Sequence, residues 1–328
     1  MISLDDILTG AETVGIAGHI KPDADAFGSC MGLYLFLKQY YPSIKASVYL
    51  EDTYSESYEF VQCSDEIIHS YPSVPGHDVF FSLDCSDPPR LGKALSYFNA
   101  AKTRVVIDHH VSNPGFGMIN EIQPDASSTS ELIALLIGKD RVGRTIAEPL
   151  YMGIAHDTGI FKYSCTSSRT MATAGWLMDT GIEFSKICDD TFYKKSFHQT
   201  QITGKALAQS DLMLGGRMIY TVVTRKDIEF YQVSLHELDG IVPELRVTDG
   251  VEIAVFLYEV TPGEFKASLR SNGKVDVAAI AVHFGGGGHR MAAGCSFRAD
   301  AYKAALLIAD EAEKQLKETY AERDSERL

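Results

Sequence analysis

Three clusters of histidine and aspartate in this chain each follow directly on a short apolar run. They are His19-Ile20-Lys21-Pro22-Asp23-Ala24-Asp25 after residues 13–18, Asp84 after 79–83, and Asp108-His109-His110 after 104–107. The runs read as buried β-strands, so each cluster falls at a strand end. Carboxylates gathered with imidazoles repel one another and are costly to desolvate. A divalent cation is the usual physical reason for such a cluster. The chain is therefore expected to carry a metal-dependent active site on an α/β scaffold.

Strand patterns at 13–18, 45–50, 79–83 and 104–107 alternate with helix patterns at 25–41 and 90–101. This alternation predicts a largely parallel sheet with helices on both faces. A helical region follows. Ser127-Ser128-Thr129-Ser130-Glu131 reads as a cap entering a helix at 132–137, and 146–156 continues the pattern. Thr166-Ser167-Ser168 caps 169–178, and Gly181 ends that helix. Residues 183–210 read as a helical, polar connector. Beyond 212, strands are expected at 218–224, 251–260, 265–269 and 292–297. Helices are expected at 227–238, 277–284 and 301–321. The domains read as 1–185, a parallel-sheet α/β domain; 186–211, a helical linker; and 212–328, a smaller mixed-sheet α/β domain.

A length of 328 residues accommodates two domains at the prior of roughly 150 residues each. The formal net charge of -14 argues against a broad basic surface that coats long nucleic acid. A local phosphate pocket is still allowed, because bound cations reverse the charge where it matters. The six cysteines form no Cys-x-x-Cys pair, which suits reduced thiols. The N-terminus shows no basic segment followed by an apolar core, and no apolar run is long enough to span a bilayer. A cytoplasmic location is expected.

The loop holding His19, Asp23 and Asp25 lies between a strand and a helix, and open α/β sheets bind ligands beyond the carboxyl ends of their strands. Two aspartates one residue apart can project towards two neighbouring ions; a turn with a helix cap is the plainer reading. Asp84 could bridge two ions with its two oxygens, or cap the turn that Asp87 and Pro88 begin. In Asp108-His109-His110 one imidazole can ligate metal and the other can donate to a phosphate, with Asp108 orienting them. Asp157, in Gly153-Ile154-Ala155-His156-Asp157-Thr158-Gly159, is a further ligand candidate, and its neighbour His156 would point elsewhere on a helix and serve structure.

Gly285-Gly286-Gly287-Gly288-His289-Arg290 offers backbone N–H groups to a phosphate. The run follows a helix and lacks the Gly-x-Gly-x-x-Gly spacing, so a dinucleotide fingerprint is not expected. Arg270 is a candidate phosphate fork. Residues 138–145 nearly match a P-loop, but Arg144 stands in the lysine position and a helix precedes the loop. No Gly-x-Ser-x-Gly and no catalytic-looking cysteine is present, so a covalent protein nucleophile is not expected.

Together these residues resemble the DHH phosphoesterase superfamily: His19-x-x-x-Asp23-x-Asp25, Asp84, Asp108-His109-His110 and Asp157 occur in the family's order. Arg270 and the glycine run with His289 look like its DHH-associated substrate-binding domain, so the likeness covers nearly the whole chain. Ala24 departs from the glycine that relatives often carry there. Within the superfamily the two-domain length is most similar to the NrnA-type enzymes, which act on very short RNA and on 3′-phosphoadenosine 5′-phosphate. The glycine run argues against the family II pyrophosphatase branch, and the membrane-bound cyclic dinucleotide phosphodiesterases carry further N-terminal segments.

The resemblance implies two Mn²⁺ ions, with Mg²⁺ as a substitute. His19, Asp23 and Asp84 would hold one ion and Asp25, Asp84 and His109 the other, with Asp157 completing a shell. The ions would sit about 3.5–4 Å apart. His110 would donate to a nonbridging phosphate oxygen, with Asp108 behind it. Arg270, Gly285, Gly286, Gly287, Gly288 and His289 would bind the rest of the substrate. Short single-stranded oligoribonucleotides, cleaved to 5′-mononucleotides, and small phosphonucleotides are the implied partners. No membrane is implied, and a homodimer is left open. The alternatives are an exopolyphosphatase-like or pyrophosphatase-like hydrolase, and a non-catalytic nucleotide sensor.

Overall fold

A computed structural model describes residues 2–71 and 76–325, and the chain divides into two compact units, 1–194 and 195–328. The first unit is built on five short strands: β1 (Thr13–Ala17), β2 (Lys45–Tyr49), β3 (Val79–Leu83), β4 (Thr103–Asp108) and β5 (Ile119–Ile122). They form one sheet in the order β2-β1-β3-β4-β5, with every pair parallel. The central strands are apolar on both sides, as a sheet covered on both faces requires. Val79, Phe81, Leu83, Val105 and Ile107 enter the larger core, which includes the helices Ala24–Tyr40, Thr129–Ile137 and Arg144–Asp157. Phe80 and Val106 enter a smaller core on the other face, with Leu91, Tyr97 and Phe98.

The strand order reverses direction between β1 and β3, since β2 lies on one side of β1 and β3 to β5 on the other. Such a switch point opens a crevice at the carboxyl ends of the strands. His19, Asp84 and Asp108 stand at the carboxyl ends of β1, β3 and β4.

The second unit holds a mixed six-stranded sheet in the order β10-β11-β9-β8-β7-β6. The strands are β6 (Asp211–Met213), β7 (Met218–Val223), β8 (Ile253–Thr261), β9 (Glu264–Ser271), β10 (Gly287–His289) and β11 (Ala292–Phe297). Only β7 and β8 run parallel. One face packs Val255, Leu257, Ala267, Leu269 and Cys295 with the helices Val277–His283 and Ala301–Ser325. On the other face Ala254 and Phe256 are covered by the helices Phe197–Ala208 and Ile241–Arg246.

Several expected elements differ. The helix expected at 90–101 is broken: a 3-10 turn at Pro88–Leu91 precedes a helix at Ala94–Ala100, because Gly92 turns left-handed at φ 55°. The helix expected at 227–238 ends at Tyr231, where Gln232 turns left-handed at φ 53°. Strands β5, β6 and β10 and the helix Ile241–Arg246 carry no periodicity long enough to announce them. The segment read as a linker, 186–211, falls partly in each unit, and its helix Phe197–Ala208 buries Ile202 and Ala206 in the second unit.

Candidate active site

Asp23 caps the 17-residue helix Ala24–Tyr40: its Oδ1 accepts from the N–H groups of Asp25 and Ala26 at 3.1 and 3.0 Å. Its other oxygen, Oδ2, lies 3.4 Å from His19 Nε2. One carboxylate thus serves as helix cap and as part of the cluster. The His19 ring is fixed from behind. Its Nδ1 lies 2.8 Å from the Ile20 carbonyl oxygen, which only an N–H can satisfy, so the lone pair falls on Nε2. Nε2 also lies 3.6 Å from Asp84 Oδ2.

Asp84 is buried in a left-handed conformation at φ 53°, and its N–H donates to Ile107 O. Asp tolerates that region better than most residues, yet a single strained position at a strand end is a frequent mark of a functional site. His109 gathers three carboxylates: its Nε2 lies 3.2 Å from Asp157 Oδ2, 3.5 Å from Asp84 Oδ1 and 4.0 Å from Asp25 Oδ2. Asp157 is the last residue of the helix Arg144–Asp157. That helix can approach Asp25 because Gly153 has no side chain; a Cβ there would lie 2.1 Å from Ser130 Oγ and 2.9 Å from Asp25 Oδ1.

The structure therefore brings His19, Asp23, Asp25, Asp84, His109 and Asp157 into one pocket. Donor atoms of His19, Asp23 and Asp84 lie within 4.8 Å of one another, as do those of Asp25, His109 and Asp157, and those of Asp84, His109 and His110. Atoms sharing one octahedral ion at about 2.1 Å lie about 3 Å apart. The His–carboxylate spacings of 3.2–4.0 Å are a little wider than this and mostly too long for hydrogen bonds. The oxygen and imidazole donors suit a hard or borderline divalent cation.

The electrostatics point the same way. Burial and the charges of Asp25, Asp23 and Asp157 push Asp84 well above the carboxylate range. Burial and the Asp157 charge push Asp25 up to about 7. Burial opposes the charged form of His109, but Asp157, Asp25 and Asp108 outweigh it and raise the imidazole to about 9. Asp23 is likewise resisted by burial, yet His19 and two backbone N–H groups hold it at about 2. A bound cation would relieve the repulsion among these carboxylates.

Asp108 and His110 stand beside the pocket. Asp108 Oδ1 accepts from His110 Nδ1 at 2.8 Å and from the His109 N–H at 2.8 Å. Its Oδ2 accepts from Asn113 Nδ2 at 2.6 Å, and the same Asn113 nitrogen donates to Cys85 O at 3.0 Å. Burial works against the Asp108 charge, but His110 and Asn113 hold its carboxyl below the usual range. His156 is turned away: its Nε2 meets Thr191 Oγ1 at 2.9 Å, and burial lowers the imidazole to about 4.

In the second unit, Lys266, Ser268 and Arg270 alternate along β9 on the sheet face opposite the Val277–His283 helix. Arg270 pairs in register with Ala292, which pairs with His289. A cleft of about 420 Å³ on this sheet is lined by Tyr258, Lys266, Ser268, Phe284, Gly286 and Ser296, among others.

The expectation of open glycine amides is corrected at two of the four positions. The N–H groups of Gly285 and Gly286 donate to Val282 O and Ala281 O at 3.0 and 2.7 Å, closing the end of the Val277–His283 helix, and so are not free for phosphate. Gly287, Gly288 and His289 form β10 against β11. A Cβ on Gly286 would lie 2.1 Å from Gly294 O, and one on Gly288 2.5 Å from the Ala293 Cα, so close strand approach explains both glycines.

A switch-point crevice filled with carboxylates and imidazoles, followed by a separate mixed-sheet unit, defines the class. Residues 13–154 match the DHH family, N-terminal domain, and residues 215–317 match the DHHA1 domain; the chain is a DHH protein with a DHHA1 domain. It is similar to the bifunctional oligoribonuclease and PAP phosphatase NrnA of Thermus thermophilus, at 29% identity over 86% of this chain and 83% of the relative. The Bacillus subtilis protein of the same name is 27% identical over 87% of this chain and 89% of its own length. An exopolyphosphatase-related protein from Bacteroides fragilis superposes with a TM-score of 0.86 at 25% identity, covering 95% of each chain.

Four partners of the site were not read from sequence as such: Asn113, Thr129, Ser130 and Glu131. Thr129, Ser130 and Glu131 lie in the segment read as a helix cap, and a cap signature does not tell which acceptor its N–H groups meet.

Proposed function

We propose that this protein is a two-metal phosphoesterase that releases 5′-mononucleotides from short oligoribonucleotides and removes the 3′-phosphate of 3′-phosphoadenosine 5′-phosphate. The observation that carries this reading is the meeting of His19, Asp23, Asp25, Asp84, His109 and Asp157 around the ends of β1, β3 and β4. The names of the relatives support the substrate class.

Two divalent cations, Mn²⁺ or Mg²⁺, would supply an activated water and offset charge on the phosphate. His19, Asp23 and Asp84 would hold one ion. Asp25, Asp84 and His109 would hold the other, and Asp157 would complete a shell. Asp108 anchors the His110 ring through Nδ1–H, and the imidazolium form of that ring would donate from Nε2 to a nonbridging phosphate oxygen. Arg270 and His289 would bind the remainder of the nucleotide. With the Gly285 and Gly286 amides occupied, side chains on this sheet face carry more of the recognition than the glycine backbone. Among the described residues no helix is long and apolar enough to cross a membrane. A cytoplasmic enzyme acting on small soluble nucleotides fits this reading.

The test is a substrate panel with Mn²⁺ present. Mononucleotide release from an RNA dimer or trimer, together with phosphate release from the bisphosphonucleoside, is expected. Phosphate release from polyphosphate that far exceeds both would favour the exopolyphosphatase reading instead.

A further inference from the structure

Thr129 touches two carboxylates that arrive from different elements, Asp25 from the first turn of the helix Ala24–Tyr40 and Asp84 from the end of β3. Its N–H donates to Asp25 Oδ2 at 2.6 Å, and its Oγ1 donates to Asp84 Oδ1 at 3.1 Å. The next residue, Ser130, donates its N–H to Asp25 Oδ1 at 2.8 Å. Thr129, Ser130 and Asp25 are fully buried, and Asp84 is 2% exposed.

The helix Thr129–Ile137 does not need this hydroxyl. Its cap is Ser128, whose Oγ accepts from the Glu131 N–H at 3.0 Å. A threonine in the first turn carries a β-branched side chain at a small propensity cost relative to alanine. Its donor is instead aimed at a carboxylate that also lies 3.5 Å from His109 Nε2 and 3.7 Å from His110 Nδ1.

The turn that presents Thr129 is itself held from beneath. Glu131, with no exposed surface, accepts from Ser127 N–H at 2.7 Å, from Ser127 Oγ at 2.8 Å and from Thr170 Oγ1 at 3.3 Å. Its other oxygen pairs with Arg169 Nε at 3.0 Å. A buried carboxylate satisfied on this scale fixes its surroundings and leaves them little freedom to shift.

We propose that Thr129 is a positioning residue that couples the two halves of the metal centre, by orienting the bridging Asp84 relative to Asp25. This rests on the two-metal reading above. The N–H groups set both oxygens of Asp25, while the hydroxyl fixes one lone pair of Asp84 and leaves its Oδ2 towards His19. Occupation of one ion site then arranges a ligand of the other. Removing the hydroxyl is expected to weaken the second ion more than the first.

The experiment measures Mn²⁺ binding by calorimetry and by electron paramagnetic resonance. Wild-type protein should bind two ions and show the spectrum of an exchange-coupled pair. Thr129→Val keeps the branched shape and removes the donor. Its second ion should bind about 10- to 100-fold more weakly, as expected for one hydrogen bond to a charged acceptor, with signal from isolated Mn²⁺. Thr129→Ser keeps the donor and should restore both the affinity and the coupled spectrum. Ser128→Ala, which removes the cap alone, should lower the melting temperature without changing the coupling. If Thr129→Val does not fold, Thr129→Ala carries the same comparison without added bulk. Wild-type affinity and coupling in the donor-less variant would overturn the inference, as would equal losses in the serine and valine variants. A wild-type protein that binds no coupled pair would instead overturn the two-metal reading.

Discussion

The two sheets of this chain gather polar groups in opposite ways. In the first unit every strand runs parallel, so all carboxyl ends meet one edge, and His19, Asp84 and Asp108 come together there from three separate strands. The groups so collected are buried: Asp108 exposes nothing, Asp84 2% and His19 3%. In the second unit most neighbours run antiparallel, so no edge collects successive strand ends. Its polar side chains lie along a strand instead, at Lys266, Ser268 and Arg270. The lesson is that parallel topology builds a convergent, desolvated pocket suited to fixed ions. The mixed sheet instead spreads its polar groups along one face, which is open at the cleft lined by Lys266 and Ser268.

The sharpest way to break this comparison is to remove the residue on which the first pocket converges. Asp84→Ala should cut mononucleotide release from an RNA dimer by about 1,000-fold or more under saturating Mn²⁺, on the scale of losing a preorganised electrostatic group. Steady-state product analysis reads it; activity within tenfold of wild type would contradict the division of labour. Next, Arg270→Ala should raise KM by about 10- to 100-fold and leave Mn²⁺ stoichiometry unchanged, because it belongs to the open face. A loss of metal in that variant would erase the distinction between the units.

A smaller effect separates glycine as a packing device from glycine as a ligand cradle. Gly286→Ala would bring a Cβ within 2.1 Å of Gly294 O and should cost about 1–3 kcal/mol of stability. Gly287→Ala meets nothing within 4 Å and should stay within about 0.5 kcal/mol. Calorimetric melting of the whole chain compares them. If the two variants melt alike, close strand approach does not explain the run.

The smallest effect concerns His156, beside the pocket but bonded away from it. Burial holds it at about 4, against 6.5 in an unfolded chain. As pH falls below 6.5 the unfolded chain takes up the proton first, so this residue's contribution is present above 6.5 and lost towards 4. His156→Gln should flatten that part of the stability curve in chemical denaturation at several pH values. An unchanged slope would show that the imidazole is not held neutral.

Much of the first unit was legible because burial and chemistry coincide in short words of sequence. β3 is buried at all five positions and ends directly before Asp84, so an apolar run and the acid that follows it mark both strand and site. Asp23 was legible twice over, as cap and as ligand candidate, and its two oxygens allow both. What stayed hidden is tertiary. The bonds from Thr129 and Ser130 to Asp25 span 104 and 105 residues, and nothing in a Ser-Thr-Ser cap names a partner so distant. Part of the glycine run's role was hidden for a related reason. Composition suggested free amides, whereas Gly286 and Gly288 are also required by their approach to Gly294 and Ala293 on the neighbouring strand.

The most direct test of the account is anomalous diffraction at the manganese edge from crystals grown with Mn²⁺. Two peaks, both reached by Asp84, one shared with His19 and Asp23 and the other with Asp25 and His109, are the expected result. A pocket without anomalous density, with those side chains left as they are here, would contradict it.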